Sequence, residues 1–571
     1  MSSDNDDSSA KQVSSEDHEN LKEELIRTKE QLNEFKKKND ILLSTNHKLT
    51  YGLKNLVQNT KLTKEAINYF TEASLSGNNY ASIILGLNAE KNSENARDIQ
   101  NAIKFYERSG EQGNPKGYVI IGVFYSSGKF IKKDYSKALE YFMKGADMSD
   151  ISAYENLGKL YYNGLGTEKD YKKAIEYFIK HSELGGFYGY EMIGYMYTKG
   201  EGVEVDYTKA VDYYAKAADL GSKESCVQLG DFYSHGDHVD KDYEKALEYY
   251  EKGSNLNEPK CQYYAGLYYE QGVGCSEDCA KAAEFYIKSA ETGHIGACYQ
   301  LGGLYQNGNG VKQSFEKAFY YYKKAADQND TLSTFQIAKY YEFGIGGNSK
   351  NINEAIRLYQ KAADLGEPDG LYHIGSIYER GEGVEPNLKT AKEYYKKSAE
   401  KNSTLGLTAL GRMYEQGKGS LFKKYKEAFE CYQKAADMNH PEAIYRLGVL
   451  HKNGNGVKKN ITKAIELFNT ASELDNHEAC LTLAEMYKKG KDIEKNPKKM
   501  LHYYHKSADL GNIDACQSLG EIYEKGKLTQ KDLNKALTYY RSAYKKGRAS
   551  LESTVKRLEK KLGIKEIVIR L

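Results

Sequence analysis

Two stretches of the chain carry glycines and a lysine in an order that could bind a phosphate group. Residues 122–129 and 411–418 each contain a glycine, a gap and a Gly-Lys pair. The gap is five residues long, whereas a P-loop has four, and Phe130 and Gly419 stand where Ser or Thr would bind magnesium. The Gly-x-Gly pairs elsewhere lack the preceding strand of a dinucleotide site. These glycines predict turns, and we expect no cofactor.

Cysteine thiols are the second group of side chains that could do chemistry. Cys226, Cys298, Cys480 and Cys516 all lie four residues before a recurring small residue, where other copies of the same pattern carry Tyr or Leu. A thiol that alternates with large apolar side chains at one position is expected to be buried. These cysteines therefore predict core positions and not nucleophiles.

A metal site could be built around Cys275 and Cys279, which are four residues apart, with Cys261 nearby. No second pair of ligands follows at the spacing of a structural zinc site. His502 and His505 flank a pair of tyrosines, and no carboxylate or thiol constellation accompanies them. We therefore predict no catalytic, cofactor-binding or metal-binding residue.

Composition and charge exclude several classes of function. The 82 Lys and Arg residues nearly balance the 80 Asp and Glu residues, so the formal charge of +2 supplies no field for nucleic acid or an anionic membrane. The first residues are acidic and polar, unlike a secretory signal. No apolar run reaches the roughly 18 residues that span a bilayer. We expect a cytoplasmic protein without disulfides, transmembrane anchor or nucleic-acid partner.

A small residue, usually preceded by Leu, recurs through most of the chain. Neighbouring copies are 36 residues apart, or 37 in two cases. A period that is kept through thirteen copies is typical of a stacked solenoid. We call this small residue the reference residue, and its positions are Gly86, Gly122, Gly158, Gly194, Gly230, Gly266, Gly302, Ala338, Gly375, Gly411, Gly448, Ala484 and Gly520.

Each copy divides into two helices, A and B, because apolar or small residues recur at helical spacing in both halves. Helix A carries the reference residue, and a loop with paired glycines leads to helix B. Helix B begins at Asp or Asn residues that can accept a hydrogen bond from first-turn amides: Asp134, Asp170, Asp206, Asp242, Asp278, Asn351, Asn387, Asn460, Asn496 and Asp532. It ends at residues that enter the left-handed conformation easily: Gly113, Gly185, Gly221, Gly293, Gly366, Gly511 and Gly547, with Asn257, Asn329, Asn402 and Asn439 elsewhere.

This pattern resembles the Sel-1-like repeat family, short relatives of the tetratricopeptide repeat with the motif A-x-x-x-L-G-x-x-Y-x-x-G-x-G-V-x-x-D-x-x-K-A-x-x-Y-Y-x-K-A-A. The resemblance extends over residues 80–547, and Ser314 and Lys424 replace the usual capping Asp. It implies an all-α fold: an α/α solenoid, wound as a right-handed superhelix, of about 13 helix-turn-helix repeats. The family resemblance also implies an adaptor or scaffold for other proteins.

Two other functions are compatible with such a solenoid. Some cysteine-rich bacterial members of the family have been described as penicillin-binding or β-lactamase-like, but this chain lacks their paired cysteines and a secretion signal. A regulatory subunit that activates a bound enzyme is the second alternative. We predict a non-enzymatic scaffold or adaptor that binds partner proteins or peptides.

The segment before the repeats, residues 18–57, has the alternating four–three apolar spacing of a coiled coil. Two asparagines fall at a positions, where they fix the register of a parallel pair. The alternative is a helix that folds back and caps the solenoid. The sequence therefore predicts pairing, with itself or with another coiled coil, through Leu25, Leu32, Asn39, Leu42, Asn46 and Leu49.

Three further segments complete the chain. Residues 1–17 are too polar to bury a core and are predicted to be disordered. Residues 64–79 look like a half repeat with a helix B alone. In residues 548–571, Leu551, Val555, Leu558 and Leu562 form a helical stripe, which predicts a capping helix and tail, with a binding tail as the alternative.

By analogy with tetratricopeptide arrays, helix A lines a concave wall that would meet a ligand. The positions two before, one after and five after the reference residue share one face of helix A, which we call the A face. Amides can serve both donors and acceptors of an extended peptide, and Arg can bind carboxylates. A solvated helix face is the alternative. The predicted peptide-binding residues are Gln228, Gln271, Gln300, Asn307, Gln336, His373, Arg412, Gln416, Arg446 and Asn453.

Overall fold

A computed structural model describes residues 62–564 except 63, 92–95, 237 and 419–421. Within these residues there are 28 α-helices and no β-strand, which confirms the predicted all-α class. The chain divides into two compact units, with the boundary between Glu277 and Asp278. The predictions for residues 1–17, 18–57 and 565–571, including the dimerisation residues, lie outside the described residues.

The first unit contains twelve of the helices. They are α1 Lys64–Leu75, α2 Asn79–Lys91, α3 Ala96–Glu111, α4 Lys116–Ser127, α5 Tyr135–Asp147, α6 Ile151–Asn163, α7 Tyr171–Glu183, α8 Phe187–Lys199, α9 Tyr207–Asp219, α10 Lys223–His235, α11 Tyr243–Asn255 and α12 Pro259–Gln271. Within this unit, each helix packs against the next one along the chain. The half repeat α1 contacts α2 through Phe70, which lies in one apolar cluster with Ile84 and Leu85.

The second unit contains the other sixteen helices and a 3-10 turn, Ala549–Leu551. The helices are α13 Cys279–Glu291, α14 Ile295–Asn307, α15 Phe315–Ala326, α16 Thr331–Phe343, α17 Ile352–Asp364, α18 Asp369–Arg380, α19 Leu388–Glu400, α20 Thr404–Gln416, α21 Tyr425–Asp437, α22 Pro441–Asn453, α23 Ile461–Glu473, α24 His477–Lys489, α25 Pro497–Asp509, α26 Ile513–Lys525, α27 Leu533–Lys545 and α28 Glu552–Lys561. None of the described helices in either unit is both long and apolar enough to cross a membrane.

Helices A and B alternate as the repeat predicts. From α2 to α27, the even-numbered helices carry the reference residues and are helices A, and the odd-numbered helices are helices B. The predicted N-caps of helix B are confirmed; for example, an Asp134 carboxylate oxygen accepts a hydrogen bond from the Lys137 amide at 3.0 Å. Ser314 caps its helix in the same way, whereas Lys424 makes no side-chain cap. Replacement of the usual capping Asp therefore removes the cap only where the new side chain cannot accept a hydrogen bond.

The predicted ends of helix B are confirmed as well. All the predicted Gly and Asn residues there have positive φ angles, such as 96° at Gly221 and 59° at Asn257. Ser149 and Asp475 adopt the same conformation at the equivalent position of two other repeats, with φ angles of 58° and 59°. The sequence did not predict these two, because neither residue type favours the left-handed region as strongly as Gly.

The reference residue is small because an aromatic ring of helix B lies against it. A Cβ atom at Gly158 would lie 2.4 Å from Phe178 Cε1, and one at Gly302 would lie 2.6 Å from Tyr322 Cδ1. Both rings are buried. A larger side chain at the reference position would have to displace a ring from the core of the repeat.

The last helix, α28, covers the end of the last repeat. Leu551, Val555 and Leu558 are buried in one apolar cluster with Tyr540 of α27. Gly563, with a φ angle of 66°, follows the helix. The apolar stripe of this segment therefore packs against the repeat array within the second unit.

Adjacent glycines in α14 provide a test of the ring contact. We expect Gly302→Leu to lower the free energy of unfolding by about 1–3 kcal/mol or more, because the new side chain must displace the Tyr322 ring. Gly303 faces only Tyr322 Oη, at 3.7 Å from a Cβ atom, and Leu267 occupies the equivalent position of another repeat. Gly303→Leu should leave stability unchanged or raise it by up to about 1 kcal/mol, since Gly disfavours helices. Chemical denaturation followed by circular dichroism measures both, and equal effects would contradict the contact.

Candidate protein-binding surface

The four cysteines that precede a reference residue by four positions lie in the core. Cys226, Cys298, Cys480 and Cys516 are buried, as predicted. Burial raises the pKa of the Cys226 thiol to about 11. A thiol with such a pKa stays protonated at neutral pH and is a poor nucleophile.

The histidines and the other cysteines form no metal centre in the described part of the chain. No group of three or more His, Cys, Asp or Glu side chains is placed there to bind a metal ion. The His505 ring instead contacts two tyrosine hydroxyls, Tyr523 Oη at 3.0 Å from Nε2 and Tyr539 Oη at 2.8 Å from Nδ1. His502 is exposed beside it.

The predicted peptide-binding residues differ in their exposure. The members five residues after the reference residue are exposed, namely Gln271, Asn307, Gln416 and Asn453. The members two before it or one after it are half-buried, namely Gln228, Gln300, Gln336, His373, Arg412 and Arg446. Three members of the second group, His373, Arg412 and Arg446, contact the preceding repeat.

Within the second unit, His373 contacts a carboxylate of the preceding repeat. Glu342 is fully buried, and it accepts hydrogen bonds from Tyr359 Oη at 2.6 Å and from Arg380 Nη2 at 2.5 Å. His373 Nδ1 lies 3.5 Å from Glu342 Oε2, and its ring stacks on Tyr359 with centroids 4.8 Å apart. We call this arrangement of a helix B tyrosine, a helix A carboxylate and a basic side chain a clasp.

Arg412 belongs to the clasp of the preceding repeat. Glu379, four residues after its reference residue, accepts hydrogen bonds from Tyr395 Oη at 2.8 Å and from Arg412 Nη2 at 3.1 Å. Lys418 Nζ is 2.8 Å from the other carboxylate oxygen of Glu379. The Arg412 guanidinium is therefore paired within the array through Nη2.

Arg446 is held in the same way. Its Nη1 lies 3.5 Å from Glu415 Oε2, and its Nε donates to Glu442 at 2.9 Å. Tyr432 Oη donates to Glu415 at 2.8 Å. Three residues predicted to meet a ligand thus connect adjacent repeats.

The clasp explains the electrostatics of the buried carboxylate. Burial alone would raise the pKa of Glu342, but the hydrogen bonds from His373, Tyr359 and Arg380 outweigh it and lower that pKa below its usual value. The same balance lowers the pKa of Glu379, where Lys418, Tyr395 and Arg412 oppose burial. A buried carboxylate is stable only with such partners.

A pocket opens on the A face of the first unit, between the helices A α8 and α10. Its lining includes A-face side chains of two successive repeats: Met192, Tyr195 and Lys199 from α8, and Gln228 from α10. The lining is completed by Glu191, Thr198, Tyr207, Tyr214, Glu224, Phe232 and His238. Gln228 is the one predicted peptide-binding residue that lines it.

This repeat junction has no carboxylate in the clasp position. Thr198 lies four residues after Gly194, where Glu379 and Glu415 stand in the repeats described above. The Tyr214 hydroxyl therefore pairs with the Thr198 side chain and not with a carboxylate at that position. The gap between the two helices A is left lined by aromatic rings, an amide and two other carboxylates.

Comparison with known families agrees with the repeat geometry. The profile of the Sel1 repeat matches thirteen segments, residues 96–114, 115–150, 151–186, 188–222, 223–258, 259–294, 295–330, 332–367, 368–403, 405–440, 441–476, 477–512 and 513–547. The chain belongs to the Sel1 repeat family. The first matched segment contains α3, the helix B of its repeat, but not α2, the helix A of the same repeat. We assign α2 to this Sel1 repeat from its structure and its reference residue.

A comparison with solved structures found proteins similar to this chain. The protective antigen c5321 of uropathogenic Escherichia coli, which displays an SLR fold, is 26% identical, covers 82% of this chain and 98% of its own, and has a TM-score of 0.62. A Sel1 repeat protein from Oxalobacter formigenes is 27% identical over 43% of this chain and 96% of its own, with a TM-score of 0.39. Helicobacter pylori cysteine rich protein B is 32% identical over 23% and 93%, with a TM-score of 0.19. No curated protein matches the sequence.

The sequence reasoning missed the clasps of these Sel1 repeats and the acidic part of the pocket. A signal for the clasps was present, because Glu342, Glu379, Glu415 and Glu524 all stand four residues after a reference residue. No periodic signal marked the pocket residues Glu191 and Glu224. Glu191 and Glu224 lie in the same pocket because two adjacent repeats pack together, and the pattern of a single repeat does not show this.

The Glu342 clasp predicts a pH-dependent contribution to stability. We expect Glu342→Gln to lower the free energy of unfolding at pH 7 by about 1–3 kcal/mol, because charge-assisted hydrogen bonds are lost from a buried site. Since the pKa of Glu342 is lowered in the folded chain, its contribution is complete above the unfolded pKa and is lost as the pH falls. The difference between wild type and variant should therefore narrow below about pH 4.5.

Denaturation at several pH values measures this difference. The matched control is Glu400→Gln, which removes an exposed carboxylate 3.7 Å from Lys396 and should change stability very little. A difference between wild type and the Glu342 variant that stays constant or widens toward acid would contradict the assignment.

Proposed function

We propose that this Sel1 repeat protein is a non-enzymatic scaffold or adaptor that binds partner proteins or peptides through the A face. The observation that carries the proposal is the pocket between α8 and α10, because side chains of the A face line it. Pockets that combine apolar rings with a few polar groups are the usual place for a ligand group. A partner that follows the A face would meet this pocket.

Helix packing in the second unit supports the same face. The helices A α18 and α20 of adjacent repeats contact each other directly, and they do so more extensively than the helices B α19 and α21. This closer approach of the helices A supports an inner position for the A face at this junction. Inner faces of helical repeat arrays are extended binding surfaces.

The clasps narrow the set of side chains that we propose as ligand contacts. His373, Arg412 and Arg446 connect repeats, as described above. The exposed amides at the A face are not drawn into such clasps; they are Gln271 in the first unit and Asn307, Gln416 and Asn453 in the second. Amides of this kind can pair with the backbone of an extended peptide.

We also propose that residues 18–57 pair two copies of the chain, and that the protein acts in the cytoplasm. The support for pairing is the heptad spacing, and the free state of all eight cysteines fits a reducing compartment. The heptad spacing also fits pairing with a different coiled coil or folding back on the array. A regulatory subunit that activates a bound enzyme would use the same A face, so it is one form of the scaffold.

Site-specific crosslinking tests the choice of face. Tyr195 is on the A face and 39% exposed, and Tyr320 is on the helix B α15 and 60% exposed. Replacing each in turn with the photoreactive amino acid p-benzoylphenylalanine changes one tyrosine for a similar ring. After irradiation in the native cell, we expect a crosslinked product of discrete mass from position 195 and none from position 320.

The Tyr320 position is the matched control, because its ring is more exposed. The same product from both positions, or a product from position 320 alone, would contradict binding through the A face. The absence of any product, together with hydrolysis by the purified protein, would favour the hydrolase alternative. Mass spectrometry of the products distinguishes these outcomes.

Light scattering tests the proposed coiled coil. We expect the full chain to have twice its monomer mass of 64.6 kDa. Leu32→Lys with Leu42→Lys should give a monomer, because both residues lie in the apolar seam. The control, Glu30→Lys with Ser44→Lys, changes outward positions two residues from the same two leucines and should leave a dimer. A monomeric wild type would contradict the pairing.

A further inference from the structure

The pocket between α8 and α10 carries more negative than positive charge. Glu191 is half-buried, and its Oε2 accepts a hydrogen bond from Ser222 Oγ at 2.5 Å. Glu224 accepts a hydrogen bond from Gln228 Nε2 at 3.4 Å through Oε1. Lys199 is the one Lys or Arg in the lining, so the two carboxylates outnumber it.

The two carboxylates are close enough to act on each other. Burial raises the pKa of Glu191, and the charge of Glu224 raises it further, although the hydrogen bond from Ser222 opposes both. Lys159, the other cation near Glu191, lies 2.5 Å from Glu155 and is already paired. A cation placed between Glu191 and Glu224 would therefore relieve an unfavourable interaction.

Aromatic rings form the rest of the wall. Tyr195 presents an exposed ring, and Tyr214 and Phe232 lie deeper with centroids 6.0 Å apart. The imidazole of His238 stacks on Tyr207 at 3.7 Å between centroids. A planar cation can stack on such rings while it donates hydrogen bonds to carboxylates, which favours a guanidinium over an ammonium group.

We propose that this pocket binds an arginine side chain of a partner protein segment that lies on the A face. The inference rests on the proposed function, because it names the chemistry of the ligand for the same face. The guanidinium would pair with Glu191 and Glu224 and stack on Tyr195. The occupant supplies the positive charge that balances the lining.

The test uses the full chain and N-acetyl-arginine amide as the probe. Met192 lines the pocket, and the methyl resonance of this one methionine among the nine can be assigned by Met192→Leu. In spectra of the ¹³C-methyl-methionine protein, we expect the probe to shift the Met192 resonance with a dissociation constant on the order of 1 mM, as for a ligand of this size. The buried Met500 of the second unit should not shift.

Two controls isolate the charge. N-acetyl-citrulline amide has the same shape without the positive charge, and it should not shift Met192. Glu191→Gln with Glu224→Gln should weaken binding of the arginine probe at least about tenfold, because charge-assisted hydrogen bonds are lost. Equal binding of the citrulline probe, unchanged binding by the double variant, or no shift of Met192 with wild-type protein would overturn the proposal.

A further variant excludes the chain itself as the occupant. Lys36, Lys37 and Lys38 form a basic run before the repeats. Changing all three to Gln in the full chain should leave the Met192 resonance where it is. A shift in that variant would assign the pocket to this run and overturn a partner arginine.

Failure of this inference is distinguishable from failure of the proposed function. If Tyr195 crosslinks to a partner while the arginine probe does not bind, the A face is the binding surface and the arginine assignment is wrong. If the probe binds while Tyr195 and Tyr320 crosslink alike, the pocket binds arginine but the A face is not the partner-binding surface.

Discussion

A buried aromatic ring of helix B lies against the backbone of helix A at the reference residue, and the geometry of each repeat follows from that contact. At Gly158 and Gly302 there is no space for a Cβ atom beside the ring. Ala338 and Ala484 show that the reference position of two other repeats accepts one methyl group. Because the ring fixes the distance between the two helices, the capped ends of helix B and the polar A face are fixed with it. A solenoid built this way is a sum of similar contacts between neighbours.

The hydroxyl of the ring creates a second requirement. A buried phenol needs an acceptor, and in the repeats of Tyr359 and Tyr395 a carboxylate on helix A provides it. The carboxylate then needs a cation, which the next repeat provides through Arg380 or Arg412. Polar side chains of the A face are therefore used to hold the array together. Where Thr198 replaces the carboxylate, the junction needs no cation, and a pocket remains. Structural and binding roles therefore compete for the same positions.

The fold was predictable from the sequence because its determinants are local. Asp134 as an N-cap, Gly221 as a helix end and Gly302 as a contact point each act within one repeat and recur, so the period reveals them. The site was predictable only as a face. Arg412 contacts Glu379, and Glu191 lies near Glu224, because of the side chains that two adjacent repeats contribute. These side chains differ from one pair of repeats to the next, so they produce no periodic pattern in the sequence. Residues 18–57 are the opposite case: their heptad pattern is local and easily recognised, but it does not identify the partner of the helix.

Hydrogen exchange is the most direct test of the claim that the A face is the binding surface. The measurement compares backbone amide exchange in the full chain, alone and bound to the protein captured at Tyr195, by mass spectrometry. The account predicts slower exchange in the bound state for the helices A α8 and α10 and little change for the helices B α9 and α15. Slower exchange confined to the helices B would contradict it.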